Sequence, residues 1–369
     1  MREPRPGNRV VVGMSGGVDS SVAAALLVEA GLDVVGISMR LWGGTGGGDA
    51  GSGCCSLDDF LDARRVAARL NIPFYVMDFR DVFQRNVVDP FVAEYAAGRT
   101  PSPCIRCNQF VKFASFWERA QELGAEWIAT GHYARVRRDP RRGAAELWAA
   151  ADQAKDQSYF LFAIEPDVLR RTLFPLGELT KDQVRARARA LGLSVADKPE
   201  SQEICFVPPG GYAAFVAANT RGTPSRAGHI VSADGAVVGR HDGVHQFTVG
   251  QRRGLGVSGG TPLYVTEIDA ASGTVRVGPR ASTLAPGLVA ARPNWLGGTP
   301  VASGARLHMR IRSRCAPVEV VIDESGPERF VARASQGLPA VTPGQAAVLY
   351  ERERVIGGGW IERALRPED

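Results

Sequence analysis

The chain has no run of about 18 consecutive apolar residues, the length that a membrane-spanning helix needs. Its polar N-terminal segment, Met1–Asn8, also lacks the basic and apolar regions of a signal peptide. We therefore predict a cytoplasmic protein with no membrane partner.

Cysteine and lysine are both scarce. Six cysteines in 369 residues, in a reducing compartment, are expected to be thiols, metal ligands or catalytic groups rather than a disulfide framework. Nearly all basic residues are arginine, which we attribute to genome composition rather than to function. The net charge of +5 is a modest basic excess that permits nucleic-acid binding without demonstrating it.

The most informative stretch is a serine- and glycine-rich turn between a strand pattern and a helix pattern. Val10–Gly13 reads as a buried strand, and apolar residues recur at helical spacing after the turn. The start of a helix has unpaired N–H groups and the positive end of the helix dipole, so such a turn can bind phosphate. Gly16 and Gly17 would let the backbone approach the anion, and Asp19 could hold Mg²⁺ on it.

This loop is not a Walker A motif, because no lysine follows the glycines and the spacing differs. Ser15, Ser20 and Ser21 offer additional hydroxyl donors. The plain alternative is a Gly-Gly turn in which Asp19 or a serine caps a helix, but it accounts for only part of the motif.

Residues 9–135 alternate between strand and helix patterns, which predicts a doubly wound parallel sheet of the α/β class. Ligands bind beyond the carboxyl ends of such strands. Met39 and Gly131 lie at these ends, so we expect Met39 against an adenine and Gly131 at a close backbone approach, although Met39 taken alone reads as a core residue. The predicted strands are Val10–Gly13, Val34–Met39, Phe74–Phe79 and Trp127–Thr130, and the predicted helices follow the loop and span Leu57–Leu70 and Phe110–Leu123.

A C-x-x-C pair, Cys104 and Cys107, follows two prolines and opens a helix pattern. Such a pair can be a redox couple, half of a zinc site or part of an iron–sulfur site. No second C-x-x-C pair and no suitably spaced histidine follows, which argues against zinc. Cys205 precedes a proline–glycine turn and is compatible with a mobile-loop cysteine or a buried structural one. The adjacent Cys54 and Cys55 read as an incidental or buried pair and are left out of the site.

The character of the sequence changes at about Arg221 to short strands separated by glycine turns. We predict a nucleotide-binding domain over 1–215, a small β-rich domain over 216–286 and a C-terminal β-barrel over 287–369.

Two further segments carry local predictions. Residues 136–200 read as mostly helical, with Thr180 and Gln183 as a capping box. Arg306–Arg314 carries four arginines, and both a phosphate-contacting strand and a solvated charged face are compatible with it.

Taken together, these features resemble the tRNA-specific 2-thiouridylase family of ATP pyrophosphatases, whose members thiolate the wobble uridine of certain tRNAs. The resemblance runs from about Arg9 to Glu362. The phosphate loop alone is shared by many ATP pyrophosphatases, whereas the loop, the cysteine segment and Gln-Glu-Ile-Cys-Phe in this order are specific. The motifs that carry the resemblance are Ser15–Ser21, Thr100–Asn108, Thr130–Tyr133, Lys155–Leu161, Ser201–Val207, Phe247–Gly256 and Val341–Ile361.

The resemblance implies an adenine nucleotide α hydrolase-like fold, ATP and Mg²⁺ as cofactors, tRNA as substrate, a persulfide sulfur-donor protein as partner and a monomeric state. It implies that Asp19 and the nucleophile Cys107 are catalytic and that Cys205 carries a persulfide. The implied ATP-binding residues are Gly13, Met14, Ser15, Gly16, Gly17, Val18, Asp19, Ser20, Met39 and Gly131. The implied contacts with the target base and the tRNA are Ser102, Pro103, Cys104, Lys155, Asp156, Gln157, Arg310 and Ile311.

The chain departs from the family pattern in two places. Many members have Asn and Asp where this chain has Ser102 and Cys104, and Ile311 stands where an aromatic residue is common, so a stacking contact is in doubt. Cys104 also opens a second route for sulfur, because it could join Cys107 and Cys205 as ligands of a 4Fe–4S cluster that holds a hydrosulfide on its open iron. We favour the persulfide route slightly.

Two other functions are left open by the residues alone. An ATP pyrophosphatase that uses ammonia, such as an amidating synthetase, would not need Cys107 or Cys205. A non-catalytic, nucleotide-gated RNA-binding protein would bind ATP and RNA without forming AMP.

Overall fold

The computed structural model describes residues 3–43, 56–139, 143–199, 204–208, 211–220, 227–257 and 261–369. Apart from Gly43, the predicted glycine-rich loop Gly43–Gly53 and the pair Cys54–Cys55 lie outside these residues. No helix within the described ranges is long and apolar enough to span a bilayer.

The N-terminal part of the chain forms a five-stranded parallel sheet in the order β3-β2-β1-β4-β7, and its strand order reverses between β1 and β4. Each of the predicted strands is confirmed, with ends that shift by one residue at most. The strands are β1 (Arg9–Gly13), β2 (Asp33–Arg40), β3 (Phe74–Asp78), β4 (Trp127–Thr130) and the short β7 (Thr172–Leu173).

Both faces of this sheet are covered, which confirms the doubly wound class. Alternate residues of β1 belong to different cores: Val11 packs in one apolar cluster, whereas Val10 and Val12 pack in the other. All three are fully buried, as expected for a parallel strand between two layers of helices.

The helices agree with the predictions in part. The predicted capping box at Thr180 with Gln183 is present, and Ser56 with Asp59 forms another at the start of the helix predicted from Leu57. The helix that the C-x-x-C pair was predicted to open is also present. It begins at Pro103, ahead of the start predicted at Phe110, and passes through a π-helical stretch, Cys107–Ser115. The α-helical segments are α1 (Val18–Glu29), α2 (Leu57–Arg69), α3 (Arg80–Phe83), α4 (Asp89–Ala96), α5 (Pro103–Arg106), α6 (Phe116–Glu122), α7 (Pro166–Leu169), α8 (Lys181–Ala190) and α9 (Tyr212–Asn219).

The prediction that residues 136–200 are mostly helical is wrong at its start. Strands β5 (Arg135–Asp139) and β6 (Ala144–Trp148) form an antiparallel hairpin. This hairpin pairs with a strand near the C-terminus, where Trp148 lies opposite Arg354 and Leu147 opposite Val355. Long-range pairing therefore decides its structure, which a local pattern cannot reveal.

The remaining strands form two β units. The first is a mixed four-stranded sheet in the order β10-β11-β8-β9, with Ile230, Val265 and Val275 in its core. Its strands are β8 (Gly228–Val231), β9 (Val237–His241), β10 (Tyr264–Asp269) and β11 (Thr274–Gly278).

The second unit is a six-stranded antiparallel barrel, closed by pairing between its first and last strands. The predicted C-terminal β-barrel is thus confirmed, whereas the boundaries at 215 and 286 stay predictions. The strands are β12 (Leu284–Trp295), β13 (Arg306–Arg310), β14 (Val318–Ser325), β15 (Arg329–Pro339), β16 (Ala346–Glu351) and β17 (Arg354–Ala364).

The barrel holds the segment that leads into the C-x-x-C pair. Gln345 Nε2 donates to the carbonyl oxygens of Thr100, at 2.9 Å, and Pro101, at 3.1 Å. The N–H of Thr100 donates in turn to the Pro343 carbonyl at 2.9 Å. The residue between the two barrel contacts, Gly344, has a positive φ of 91° and lies against the Thr100 backbone.

We expect Gly344→Ala to destabilise the protein by about 1 to 3 kcal/mol, because a left-handed backbone strains alanine and its Cβ would lie 2.9 Å from the Thr100 carbonyl oxygen. Gly304→Ala is the matched control, because Gly304 has a φ of 83° and no atom within 4 Å of the added Cβ. Thermal unfolding of both variants measures the difference. Equal melting temperatures would mean that the contact with Thr100 adds nothing to the backbone strain.

Candidate active site

The serine–glycine loop connects β1 to α1 with the helix start left open. Gly17 is the N-cap residue of α1, and no side chain caps the helix among the described residues. The first N–H groups of α1 are therefore available to an anion, with the helix dipole behind them. This geometry is the one expected of a phosphate-binding loop.

Internal hydrogen bonds of the serines hold the loop in shape. Ser20 Oγ accepts from the N–H of Ser15 at 3.1 Å, and it donates to the Gly17 carbonyl at 3.2 Å. Ser21 Oγ donates to the same carbonyl at 2.8 Å. In this structure the hydroxyls of Ser20 and Ser21 therefore fix the loop.

Two glycines let backbones meet at the loop. Gly16 has a φ of 74°, and a Cβ there would overlap the backbone carbonyl of Asp59 in α2. A Cβ on Gly131 would lie 2.6 Å from the Ser20 nitrogen. Gly131 thus makes the predicted close approach, but its neighbour in this structure is the loop backbone itself.

Asp19 is held by two side chains that the sequence analysis did not assign. Lys181 Nζ donates to both carboxylate oxygens of Asp19 at 2.8 Å, and the Tyr133 hydroxyl donates to Oδ1 at 2.8 Å. The Lys181 side chain is only 10% exposed. Asp19 is therefore an oriented, charge-compensated carboxylate at the mouth of the loop.

A second lysine ties the loop to α2 and to the segment that leads towards Cys205. Lys198 Nζ donates to the Gly16 carbonyl at 3.1 Å, to Asp59 at 2.8 Å and to Asp62 at 2.7 Å. Burial alone would lower the pKa of Lys198, but the hydrogen bonds and charges of the two aspartates together raise it. The ammonium therefore stays charged across the physiological range.

A cavity of about 410 Å³ opens at the carboxyl ends of the strands and brings most of the predicted site together. Its wall combines the loop, the C-x-x-C helix and the segment around Cys205. The predicted residues that line it are Gly13, Met14, Ser15, Asp19, Ser20, Met39, Pro103, Cys104, Cys107, Gly131, Gln157 and Cys205. Gly16, Gly17 and Val18 belong to the loop without lining the cavity, and Ser102 is buried beside it.

The three predicted cysteines line this one cavity but differ in accessibility. Cys104 is exposed, Cys107 is only 6% exposed, and Cys205 is partly buried. Within the described ranges, no group of three or more Cys, His, Asp or Glu residues is arranged to hold a metal ion.

An aromatic cluster anchors the short segment that carries Cys205. The ring of Phe206 contacts those of Phe91, Phe83 and Phe215, with centroids 5.1, 5.5 and 5.4 Å apart. Phe206 is only 4% exposed. Burial of this neighbour keeps Cys205 at the cavity wall, since moving the segment would expose the ring.

His132 adds an uncharged ring to the cavity wall. Burial, and to a lesser degree the charge of Lys112, hold the pKa of His132 well below its usual range. Its Nδ1 lies 2.7 Å from the Thr130 hydroxyl. At neutral pH the imidazole is therefore neutral.

The other predicted tRNA contacts do not line the cavity. Arg310 donates to Asp156 at 2.9 Å, and the Asp156 side chain is 1% exposed. Ile311 is 4% exposed in the barrel core, so only its backbone could reach an RNA. Lys155 is partly exposed in the turn before Gln157. A role in RNA binding stays a prediction for these residues.

Models of known protein families match nearly the whole length of the chain. Three family models match it: the tRNA methyl transferase HUP domain over residues 8–209, the tRNA methyl transferase PRC-barrel domain over 219–279 and the aminomethyltransferase beta-barrel domain over 286–361.

Curated relatives match over nearly the full length. The tRNA-specific 2-thiouridylase MnmA of Geotalea uraniireducens is 50% identical over 97% of this chain and 96% of its own. The protein of the same name from Sorangium cellulosum is 50% identical over 99% of this chain and 95% of its own. This chain belongs to the tRNA-specific 2-thiouridylase family. The names of the three family models refer to methyl transfer. The phosphate loop and the cysteines of this thiouridylase family member agree instead with the name of the curated relatives.

Solved structures give a weaker likeness. NMN synthetase from Francisella tularensis is 20% identical with a TM-score of 0.34, over 54% of this chain and 67% of that one. A 4-thiouridine synthetase–RNA complex with bound ATP is 17% identical with a TM-score of 0.36, over 54% of this chain and 45% of that one.

We expect Lys198→Met to weaken ATP binding about tenfold, or by about 1.4 kcal/mol, because Asp59 and Asp62 would then stand uncompensated beside the phosphate loop. Isothermal titration of ATP into the variant measures the dissociation constant. Arg65→Met is the matched control, since Arg65 also pairs with Asp62, at 3.1 Å, but is 67% exposed. A lower melting temperature with unchanged ATP affinity would reduce Lys198 to a structural contact.

Proposed function

We propose that this protein uses ATP to thiolate the 2-position of the wobble uridine of tRNA, giving 2-thiouridine, AMP and pyrophosphate. The observation that carries the proposal is the single cavity that joins an uncapped phosphate loop to Cys104, Cys107 and Cys205. Near-full-length identity to proteins named tRNA-specific 2-thiouridylase supports the same reaction.

The phosphate loop would serve the activation step. A uracil 2-carbonyl is a poor electrophile, and its oxygen is a poor leaving group. Attack of that oxygen on the α-phosphate of ATP releases pyrophosphate and makes AMP the later leaving group. The open N–H groups of α1 would stabilise the departing pyrophosphate. Gln157 lines the same cavity, and its side-chain oxygen accepts a hydrogen bond from the Tyr133 N–H at 2.9 Å. This bond would keep Gln157 close to the bound nucleotide.

Asp19 is the residue that would hold Mg²⁺. It fits the ion because its carboxylate lines the cavity beside the loop and is compensated by Lys181, a cation that a metal ion can replace. When bound, Mg²⁺ supplies neutralisation of the phosphate charge.

The cysteines would serve the sulfur-transfer step. The terminal sulfur of a persulfide on Cys205 attacks the activated C2, and AMP leaves. The Cys107 thiolate then attacks the Cys205 Sγ, which breaks the sulfur–sulfur bond, releases 2-thiouridine and leaves a Cys107–Cys205 disulfide. Cys107 is nearly buried, which suits a step that water would divert back to uridine.

The proposal includes partners and a location. A donor protein would deliver the persulfide sulfur, and tRNA would be bound with its target base extruded from the stack, at a cost of roughly a few kcal/mol. The net charge of +5 is compatible with binding of the negatively charged tRNA. We place the protein in the cytoplasm as a monomer.

The test of the function is a product analysis. Wild-type protein incubated with ATP, a persulfide donor and tRNA is expected to give 2-thiouridine, AMP and pyrophosphate in equal amounts. ADP with phosphate, or no AMP at all, contradicts the proposal. The latter result would support a nucleotide-gated RNA-binding protein.

Two variants separate the halves of the reaction. Asp19→Ala should slow AMP formation about 10²- to 10³-fold, because the pyrophosphate end loses its anchor. Cys205→Ser should bind ATP and tRNA normally yet yield no detectable 2-thiouridine. Cys315→Ser, a partly buried thiol outside the cavity, is the control and should behave as wild type. If Cys205→Ser forms 2-thiouridine at the normal rate, the persulfide assignment is wrong. ATP-dependent amidation with ammonia that persists in Cys205→Ser would favour an ammonia-using enzyme.

An iron–sulfur cluster is the alternative sulfur carrier, because Cys104, Cys107 and Cys205 line one cavity. In the part of the chain that the structure describes, these thiols do not form a ready three-ligand group for a metal ion, so their arrangement does not fit a resident cluster. Anaerobic purification followed by iron and acid-labile sulfide analysis should give iron-free, active protein. Two results together would favour the cluster route over the persulfide route. The wild type would contain stoichiometric iron, and each single cysteine variant would lose both iron and activity.

A further inference from the structure

The proposed persulfide route leaves the protein oxidised after every turnover. Release of 2-thiouridine forms a Cys107–Cys205 disulfide, and Cys205 cannot accept sulfur again until that bond is opened. External reductants would reach this disulfide less readily than a surface one, because Cys107 is 6% exposed and Cys205 is partly buried. Thiol–disulfide exchange depends on access to the sulfur under attack.

Cys104 is the thiol that combines access with proximity. It is exposed, it lines the same cavity as Cys107 and Cys205, and it precedes Cys107 by three residues in a continuous helical segment. Residues three apart in a helix lie on one face, and ideal geometry places their Cα atoms about 5 Å apart. A disulfide needs Cα atoms about 4.4 to 6.8 Å apart, so the pair can be bridged.

We propose that Cys104 is a resolving cysteine that regenerates Cys205 between turnovers, an inference that rests on the persulfide form of the proposed function. The Cys104 thiolate attacks the Cys107 sulfur of the Cys107–Cys205 disulfide. A Cys104–Cys107 bond forms, the Cys107–Cys205 bond breaks, and Cys205 leaves as a thiolate that takes up a proton.

The exchange replaces the Cys107–Cys205 disulfide with a Cys104–Cys107 disulfide nearer the surface, and the number of electrons in the protein stays the same. An external dithiol, such as a small dithiol-disulfide protein, then reduces the Cys104–Cys107 disulfide and is itself oxidised. The first exchange is intramolecular, so it needs no encounter with a reductant inside the cavity.

Turnover kinetics of Cys104→Ser test the proposal. Loss of a contact with the target base would slow the first turnover and the steady state by the same factor, so the readout is the ratio of the steady-state rate to the first-turnover rate. With the reduced, persulfide-loaded protein and reduced thioredoxin, this ratio should fall about tenfold or more below that of wild type. Cys104→Ala should behave likewise, and Cys315→Ser should match wild type in both phases. An unchanged ratio in both Cys104 variants overturns the proposal.

A disulfide map supplies a readout that a structural role would not move. After one turnover without reductant and an acid quench, peptide mass spectrometry of wild type should find Cys104–Cys107, and Cys104→Ser should accumulate Cys107–Cys205. Absence of the Cys104–Cys107 bridge in wild type also overturns the inference. A lost first turnover in Cys104→Ser would assign Cys104 to the transfer itself and overturn the resolving role, whereas failure of wild type to make 2-thiouridine would defeat the proposed function instead.

Discussion

The site depends on positive charge that the phosphate loop does not itself contain. From Gly13 to Ser21 the loop has one ionisable side chain, the carboxylate of Asp19, and no basic residue. Lys181 compensates the charge of Asp19, although the two residues are 162 positions apart in the sequence. Lys198 donates to the Gly16 carbonyl. Without these ammonium groups, three aspartates would face a bound triphosphate, so loop, α2 and α8 must be in place together before ATP can bind well.

The half of the cavity that carries the three cysteines depends on packing rather than on charge. The barrel fixes the chain before Cys104 through Gln345 and Gly344, and Asn108 Nδ2 holds the helix after Cys107 by donating to the Phe160 carbonyl at 3.0 Å. Phe206 sets the position of Cys205 by burial of its ring. The two catalytic halves therefore meet only in the complete fold, because their supports come from separate parts of the chain.

Features with a local cause could be predicted from the sequence. β1 to β4, both capping boxes and the open loop follow from hydrophobic periodicity and turn residues. The β5–β6 hairpin could not, since it is stabilised by a strand about two hundred residues later. Lys181 was equally invisible, because it meets Asp19 across 162 positions. One signal was available: the chain has only four lysines, and three of them, Lys112, Lys181 and Lys198, line the cavity or bind the phosphate loop. Our attribution of their scarcity to composition alone overlooked this.

Cys104 shows how one exposed position can change the chemistry without touching the fold. Its side chain faces solvent and cavity rather than the core, so a change between carboxylate and thiol there costs little packing energy. The two groups differ in what they can transfer, since a carboxylate exchanges only protons whereas a thiol also exchanges electron pairs with sulfur. Three residues from the nearly buried Cys107, a thiol at this position would give the proposed Cys107–Cys205 disulfide an outlet at the surface. Cys104 therefore stands where a change of side chain can alter the proposed sulfur chemistry while the packing of the core is kept.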